Sequence, residues 1–467
     1  MKQASAPKGK PRFRLRLEHA AVFFVVAAVL FFGYSVFQAS TGGSSSSGGG
    51  GGSSSGLTSQ HSGGGLHRRT LVRVGAEDGG EGGEGGAHVV AKPCPKAEPV
   101  VKTETVTVTK LVYGSTLQNP RAYHVVTTVA GFSNHWQARI HYYWFKKQRD
   151  ACLREPACDM GGFTRVLHTG KPDDLMDEIP TVVVDPLPDR NTTYIVLNRP
   201  YAFMQWMKLV SIPEKYFVMC EADHLFMRPL PNFMNGEAAG AALFTYIVPW
   251  NYNDIVRKFI GKDKSDEEVK KVPQIGNSPT FISTEQFKVL APIWYNTTME
   301  IFDDKEAHDA WNWVLEMYGY AIATYRAGQH VNMRVVPNML AHPPFDKEEV
   351  DPEGRPFYLL HLTYPCRYDK FGNMTDNSTL AVWTFDKREY SVKPPPRNLA
   401  MPPEVVHNNL VRLIVGMINE ATDALPCWDD YVATSKVNKC AHHTAKTGEK
   451  AEEEAAVAGG ATKAAAT

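Results

Sequence analysis

The chain lacks any charge bias: 50 Lys and Arg stand against 50 Asp and Glu in 467 residues. Its only basic cluster is Lys2, Lys8, Lys10, Arg12, Arg14 and Arg16, so nothing points to nucleic acid as a partner. No two cysteines form a Cys-x-x-Cys pair, which removes the usual zinc signature. No internal repeat is present, which argues against a solenoid or propeller.

What is there begins with one apolar run, Ala20 to Phe37, which carries no charge. About 18 to 20 apolar residues suffice to cross a bilayer core as a helix. The basic flank, with Glu18 its one acid, stays cytosolic by the positive-inside rule, and the remainder lies in the lumen. A cleaved signal peptide is the rival reading, with Ala39-Ser40-Thr41-Gly42 as a small-residue site, although such apolar cores usually run about 7 to 15 residues. The expectation is a cytoplasmic tail over 1–18, an anchor over 19–38 and a flexible stem over 39–119. The anchor is short and rich in Phe and Val, which suits a thin early-secretory membrane. The stem is mostly Gly and Ser from 41 to 88, a composition that cannot bury a core. A globular domain is expected over 120–430 and a low-complexity tail over 431–467.

Seven cysteines (Cys94, Cys152, Cys158, Cys220, Cys366, Cys427 and Cys440) fit an oxidising compartment. Seven is odd, so at least one thiol stays free or pairs between chains. Cys152 and Cys158 are close enough to bridge a small loop, and Cys220, inside an apolar run, reads as a buried free thiol. Sequons at Asn191, Asn296, Asn373 and Asn377 are compatible with glycosylation.

Within 120–430, strands are expected at His124–Ala130, Phe163–His168, Thr181–Val184, Tyr216–Met219, Ala241–Ile247 and Phe357–Leu362. Helices are expected at Trp136–Arg149, Tyr201–Leu209 and Trp311–Ala323. Strands alternating with helices argue for an α/β domain with a mostly parallel sheet covered on both faces. Ligands in such sheets sit at the carboxyl ends of strands.

The sharpest chemical signal is an apolar strand running into Glu221-x-Asp223-His224. Alternation puts Glu221 and Asp223 on one side of an extended chain, where two carboxylates suit a hard divalent ion bridging a diphosphate. A solvated acidic strand end is the blander and commoner reading of the bare motif. Asn198-Arg199-Pro200 opens a helix whose amides, with Arg199, suit phosphate; an ordinary helix start with Pro in its first turn is as common. Gly276-Asn277-Ser278-Pro279 reads as a polar turn before Thr280-Phe281-Ile282. Glu316 is a lone acid in an apolar helix, which needs either a partner or a role. His361, in an apolar strand, is by itself more often structural than a ligand; joined to Glu-x-Asp-His it completes a metal shell.

These stretches resemble a known family. Gly161-Gly162-Phe163-Thr164-Arg165, Met176-Asp177-Glu178-Ile179-Pro180-Thr181, Val184-Asp185-Pro186-Leu187-Pro188 and Ile195-Val196-Leu197-Asn198-Arg199-Pro200 carry the first half of the likeness. Glu221-x-Asp223-His224, Pro229-Leu230-Pro231-Asn232, Gly276-Asn277-Ser278-Pro279, Trp313–Tyr318, His361-x-Thr363-Tyr364 and Pro394-Pro395-Pro396-Arg397-Asn398-Leu399 continue it. In order and spacing they are similar to the hydroxyproline O-arabinosyltransferases of plants and green algae, over about residues 122 to 428. The family's acidic motif more often has Pro where this chain has Ala222.

The resemblance implies a Golgi or early-secretory membrane enzyme with a GT-A-like fold. It also implies a UDP-arabinofuranose donor, a hydroxyproline-containing peptide or glycoprotein acceptor, a divalent ion (usually Mn2+) and retention of anomeric configuration. A looser analogy to glycogenin-like transferases places Arg199 on the donor diphosphate, and Asp223, Glu221 and His361 on the metal; Asn198 and Arg165, in the matching stretches, are further donor-binding candidates. It places Asn277 and Glu316 near the donor sugar. Glu316, or else Asp309, is the candidate nucleophile of a covalent route; in a front-face route neither acts as nucleophile. A related peptidyl transferase, such as one moving galactose to serine, and a non-catalytic lumenal sugar-binding protein are the competing functions.

Overall fold

Tyr123–Val129 (β1) is an apolar, β-branched run buried along its whole length. In a computed structural model of the protein, which describes residues 119–437 apart from 132–133, 156 and 189–193, this strand is an interior strand of the main sheet. It runs parallel between β2 (Met160–Leu167) and β4 (Tyr216–Glu221), and β3 (Thr181–Val183) extends the parallel set beyond β2. On the other side of β4 comes β7 (Ile275–Ser283), antiparallel to it. Then follow β6 (Ala239–Leu243), antiparallel to β7, and β8 (Met333–Val336), parallel to β6. The order is β3-β2-β1-β4-β7-β6-β8, a mostly parallel α/β sheet as expected. Its central strands are apolar without alternation because both faces are covered.

The expected anchor, cytoplasmic tail, Asn191 and nearly all of the stem lie outside the described residues, as does the tail beyond 437. Among the described residues no helix is long and apolar enough to cross a membrane. The last described helix, Trp428–Thr434, straddles the expected boundary at 430.

Four helices matter for the site: α1 (His135–Cys152), α2 (Asn198–Leu209), α3 (Thr284–Asp303) and α4 (Leu315–Ala327). A capping box starts α3. The Ser283 hydroxyl accepts from the Gln286 N–H at 3.2 Å, while the Gln286 side chain accepts from the Ser283 N–H at 3.3 Å. α4 packs on α3 at Gly319, where a Cβ would stand 2.4 Å from Thr298 Oγ1 and 3.2 Å from Thr298 Cα. No larger residue fits that crossing. Cys152, at the end of α1, is disulfide-bonded to Cys158. Cys220 and Cys366 are buried free thiols, and Cys427 is in a disulfide.

A second, three-stranded sheet lies off the carboxyl end of β4. There β5 (His224–Phe226) pairs antiparallel with β10 (Leu359–His361), which pairs parallel with β9 (Leu340–Ala341). A hairpin of β11 (Cys366–Tyr368) and β12 (Trp383–Phe385) follows.

Besides ending the strand expected at Ala241–Ile247 at Leu243, the structure corrects three local readings. Gly276–Pro279 is not a turn but the start of β7, buried throughout. The Asn-Ser-Pro chemistry favours a turn, but burial in the sheet overrides it. Pro279 has no N–H for the ladder, and the β6/β7 register shifts between Ala241 and Leu243. The expected helix Trp311–Ala323 is broken: Lys305–Trp311 forms one short helix, Asn312 takes φ 39°, and α4 begins at Leu315. Thirdly, β4 ends at Glu221 and a turn occupies Ala222 and Asp223, so strand alternation does not carry through to Asp223.

Candidate active site

The turn after β4 sends the two acids of Glu221-x-Asp223 to different partners. Glu221 Oε2 accepts from Arg199 Nη2 at 2.6 Å, from the first turn of α2. Arg199 Nη1 also lies 3.3 Å from Oε2 of Glu316, in the first turn of α4. One guanidinium thus joins the acid at the strand end to the acid of α4. Glu316 is 1% exposed, and its Oε1 has no partner. Burial pushes the Glu316 carboxyl up to about 7 against the lowering pull of Arg199. Arg199 is itself raised: burial opposes its charge, but Glu221 and then Glu316 more than compensate.

Asp223 turns the other way. Its Oδ2 accepts from Lys387 Nζ and lies 3.3 Å from His361 Nε2. Burial would raise its carboxyl, but Lys387 and then His361 outweigh burial and hold it well below the usual carboxylate range. The placement follows from strand pairing, since His361 on β10 sits directly across from His224 on β5, with ring centroids 4.8 Å apart. The Leu362 N–H donates to the Asp223 carbonyl at 3.1 Å and extends the pairing by one step. Beneath them, His141 of α1 donates from Nδ1 to the His224 carbonyl at 2.5 Å and receives the Thr127 hydroxyl on Nε2 at 2.9 Å.

Ligand atoms of Asp223, His224 and His361 lie within 4.8 Å of one another, and all three residues are buried. Asp223 Oδ1 and His361 Nδ1 have no partner, so a cation would satisfy groups that are otherwise stranded. His224 fits less well. Its Nδ1 accepts the Glu221 N–H at 3.3 Å, so the neutral ring carries its proton on Nε2 and must lose it before it can ligate. Asp223 and His361 are therefore the protein ligands best suited to an ion. Glu221, expected as a ligand, is instead committed to Arg199.

The other expected residues separate cleanly. Asn277 is buried on β7 with Nδ2 3.1 Å from Ser278 Oγ and Oδ1 unpartnered. Its neighbour Gly276 lies against Met317, the neighbour of Glu316, since a Cβ on Gly276 would stand 2.5 Å from Met317 Cε. Arg165 is fully buried, paired through both terminal nitrogens with Asp173 at 2.6 and 2.7 Å and through Nε with Thr181 at 2.8 Å. Every nitrogen is engaged, and its role is to brace β2 and β3. Asn198 accepts from Leu187 N at 2.7 Å and donates to the Ile195 carbonyl at 3.0 Å, closing the loop before α2. Asp309 is 65% exposed and forms an i,i+4 pair with Lys305 at 2.5 Å. Lys387 escaped the sequence reading because it lies in no recognisable motif and 164 positions from Asp223.

The site thus gathers one arginine, two glutamates and a buried Asp–His pair at the carboxyl end of β4, the central strand of the sheet. A family model described as the hydroxyproline O-arabinosyltransferase family N-terminal domain matches residues 123–334, and the corresponding C-terminal domain matches 358–429. The chain is 44% identical over 309 residues to hydroxyproline O-arabinosyltransferase RDN2 of Medicago truncatula, covering 66% of this chain and 82% of that protein. It is 44% identical over 315 residues to hydroxyproline O-arabinosyltransferase 3 of Arabidopsis thaliana, covering 67% and 83% respectively. A more distant likeness, 23% over 210 residues, links 42% of the chain to 23% of a peptidyl serine alpha-galactosyltransferase of Arabidopsis thaliana. The Asp223 side of the site falls in the first matched segment and the His361 side in the second, and the chain belongs to the hydroxyproline O-arabinosyltransferase family of glycosyltransferases.

Proposed function

We propose that the protein transfers L-arabinofuranose from UDP-arabinofuranose to the hydroxyl of peptidyl hydroxyproline, with retention, on a GT-A-type domain. The observation that carries this reading is the meeting of Asp223 and His361 beside the Arg199–Glu221–Glu316 network, in a chain of that family. Asp223 and His361 would hold a divalent ion, Mn2+ by family expectation, whose charge offsets that of the leaving diphosphate. Arg199 lies in the first turn of α2, where its guanidinium would favour phosphate oxygens. Glu316 Oε1 and Asn277 Oδ1, both buried acceptors without partners, would receive sugar hydroxyls.

In the chemistry we infer, the bond from the anomeric carbon to diphosphate breaks as the hydroxyproline oxygen attacks from the same face. The hydroxyl proton passes to a diphosphate oxygen. Glu316 orients the sugar rather than attacking it, since its carboxyl is half-neutral near pH 7 and its other oxygen is held by Arg199. Asp309, exposed and paired with Lys305, is left out of the reaction. The full chain is proposed to be a single-pass Golgi membrane protein, on the strength of the basic 1–18 segment and the apolar run that follows.

The test is a panel of UDP-sugars, including UDP-arabinofuranose and UDP-galactose, with a hydroxyproline-rich peptide and a serine peptide as acceptors. Arabinose transfer to the hydroxyproline peptide is expected. Galactose transfer to serine would favour the more distant relative's chemistry, and no transfer or nucleotide binding would leave a sugar-binding role.

A further inference from the structure

We propose that Lys387 is an exchangeable counter-ion: it neutralises Asp223 when the divalent ion is absent and moves to the donor's diphosphate when that ion binds. The inference rests on the reading of Asp223 as a metal ligand and goes beyond it by giving the site a built-in competitor.

Lys387 Nζ contacts Oδ2 of Asp223, a carboxylate that is 4% exposed. Such a carboxylate is costly without a positive partner. A divalent ion on the unpartnered Oδ1 and the ammonium on Oδ2 would repel each other across one carboxylate, so the ion's arrival weakens the hold of Asp223 on Lys387. The lysine is built to give way. Its backbone is tied down: Arg388, the next residue, donates through Nη1 to Asp386 at 2.7 Å and through Nη2 to the Thr363 carbonyl at 2.8 Å. Thr363 stands two residues beyond His361, so the root of the lysine is fixed to the strand that carries the other ligand. The four-carbon stem beyond that root is flexible, and the side chain is 22% exposed. Arg199, by contrast, is locked between Glu221 and Glu316 and has no comparable freedom. The donor's diphosphate would give the displaced ammonium a new negative partner. Metal and donor would then bind cooperatively, since each offsets the cost of moving Lys387.

The experiment compares the full chain with Lys387→Met and Lys387→Arg, titrating Mn2+ alone and then UDP at saturating Mn2+ by calorimetry, with thermal unfolding as a control. For Lys387→Met, Mn2+ without nucleotide should bind about fivefold or more tightly than to wild type, because its competitor is gone. UDP should bind about tenfold more weakly, because a charged phosphate contact is lost. Lys387→Arg should retain most of the UDP affinity. The two opposite shifts separate exchange from a structural role, which would lower both affinities together with thermal stability. Equal or weaker Mn2+ binding by Lys387→Met, or unchanged UDP binding, overturns the proposal. If wild type itself fails to bind Mn2+, with or without UDP, the metal reading falls and takes this inference with it. Wild-type binding that Lys387→Met leaves unaltered sinks the lysine exchange alone.

Discussion

Arg199 and Glu221 are held 2.6 Å apart, and the same guanidinium reaches Glu316 at 3.3 Å. The planar fork spans two carboxylates from two elements, which an ammonium cannot do. Arg199→Lys is therefore expected to keep the charge but release one acid. UDP affinity should fall about tenfold and the thermal transition should drop as Glu316 loses its partner. Calorimetric titration with UDP, alongside a melting curve, checks both. Unchanged UDP affinity would place the diphosphate elsewhere.

Asp223 and Glu221, alike in sequence, should separate in function. Asp223→Asn is expected to abolish Mn2+ binding and transfer while the fold persists. Glu221→Gln should leave Mn2+ binding largely intact and weaken the donor, because Glu221 meets Arg199 rather than the Asp–His pair. Full transfer in the presence of EDTA would remove the metal from the mechanism.

Glu316 sets a pH dependence of stability. Burial lifts its carboxyl from 4.5 to about 7, so the folded chain keeps a proton that the unfolded chain releases. Stability linked to this group is fully present below pH ~4.5 and is lost as pH rises through about 7, on the order of 3 kcal/mol in all. Glu316→Gln has no such proton to lose. Its melting temperature relative to wild type should therefore climb between pH 5 and pH 8, while turnover falls with donor binding retained. A flat difference across that range, with wild-type turnover, would make Glu316 an ordinary core acid.

Gly319 predicts the reverse of helix propensity. In an exposed helix Gly→Ala gains about 1 kcal/mol. Here the added methyl meets Thr298 at 2.4 Å, so Gly319→Ala should destabilise by roughly 1–3 kcal/mol in urea unfolding. Because α4 also carries Glu316, turnover should fall more than stability alone explains.

Much of the site was legible because its chemistry contradicts its surroundings. Asp223 follows an apolar strand, Glu316 interrupts an apolar helix, and His361 ends an apolar strand; each needs a reason that packing does not supply. Asn198 and Arg165 are the same residue types as Asn277 and Arg199, yet the fold uses them locally, one in a loop and one in a buried ion pair. Nothing along the chain distinguishes those uses, since the partners Leu187 and Asp173 become visible only once the loops are folded. The start of β7 was misread because turn propensity is a local property, whereas burial between β4 and β6 is not. Lys387 was invisible for the same reason: an ordinary lysine opening a 3-10 turn gains its meaning from a carboxylate in a distant turn.

Strand pairing between β5 and β10 also has a consequence in time. During synthesis, Asp223 and His224 leave the ribosome long before His361, and longer still before Lys387, 164 positions downstream. Until then the acid turn has neither its cross-strand histidine nor its lysine. A nascent or prematurely terminated chain would present the Arg199–Glu221 half of the site but could not assemble the other half. Catalytic competence should thus switch on only when nearly the whole domain has been made, and a chain truncated before β10 would be inert rather than weakly active.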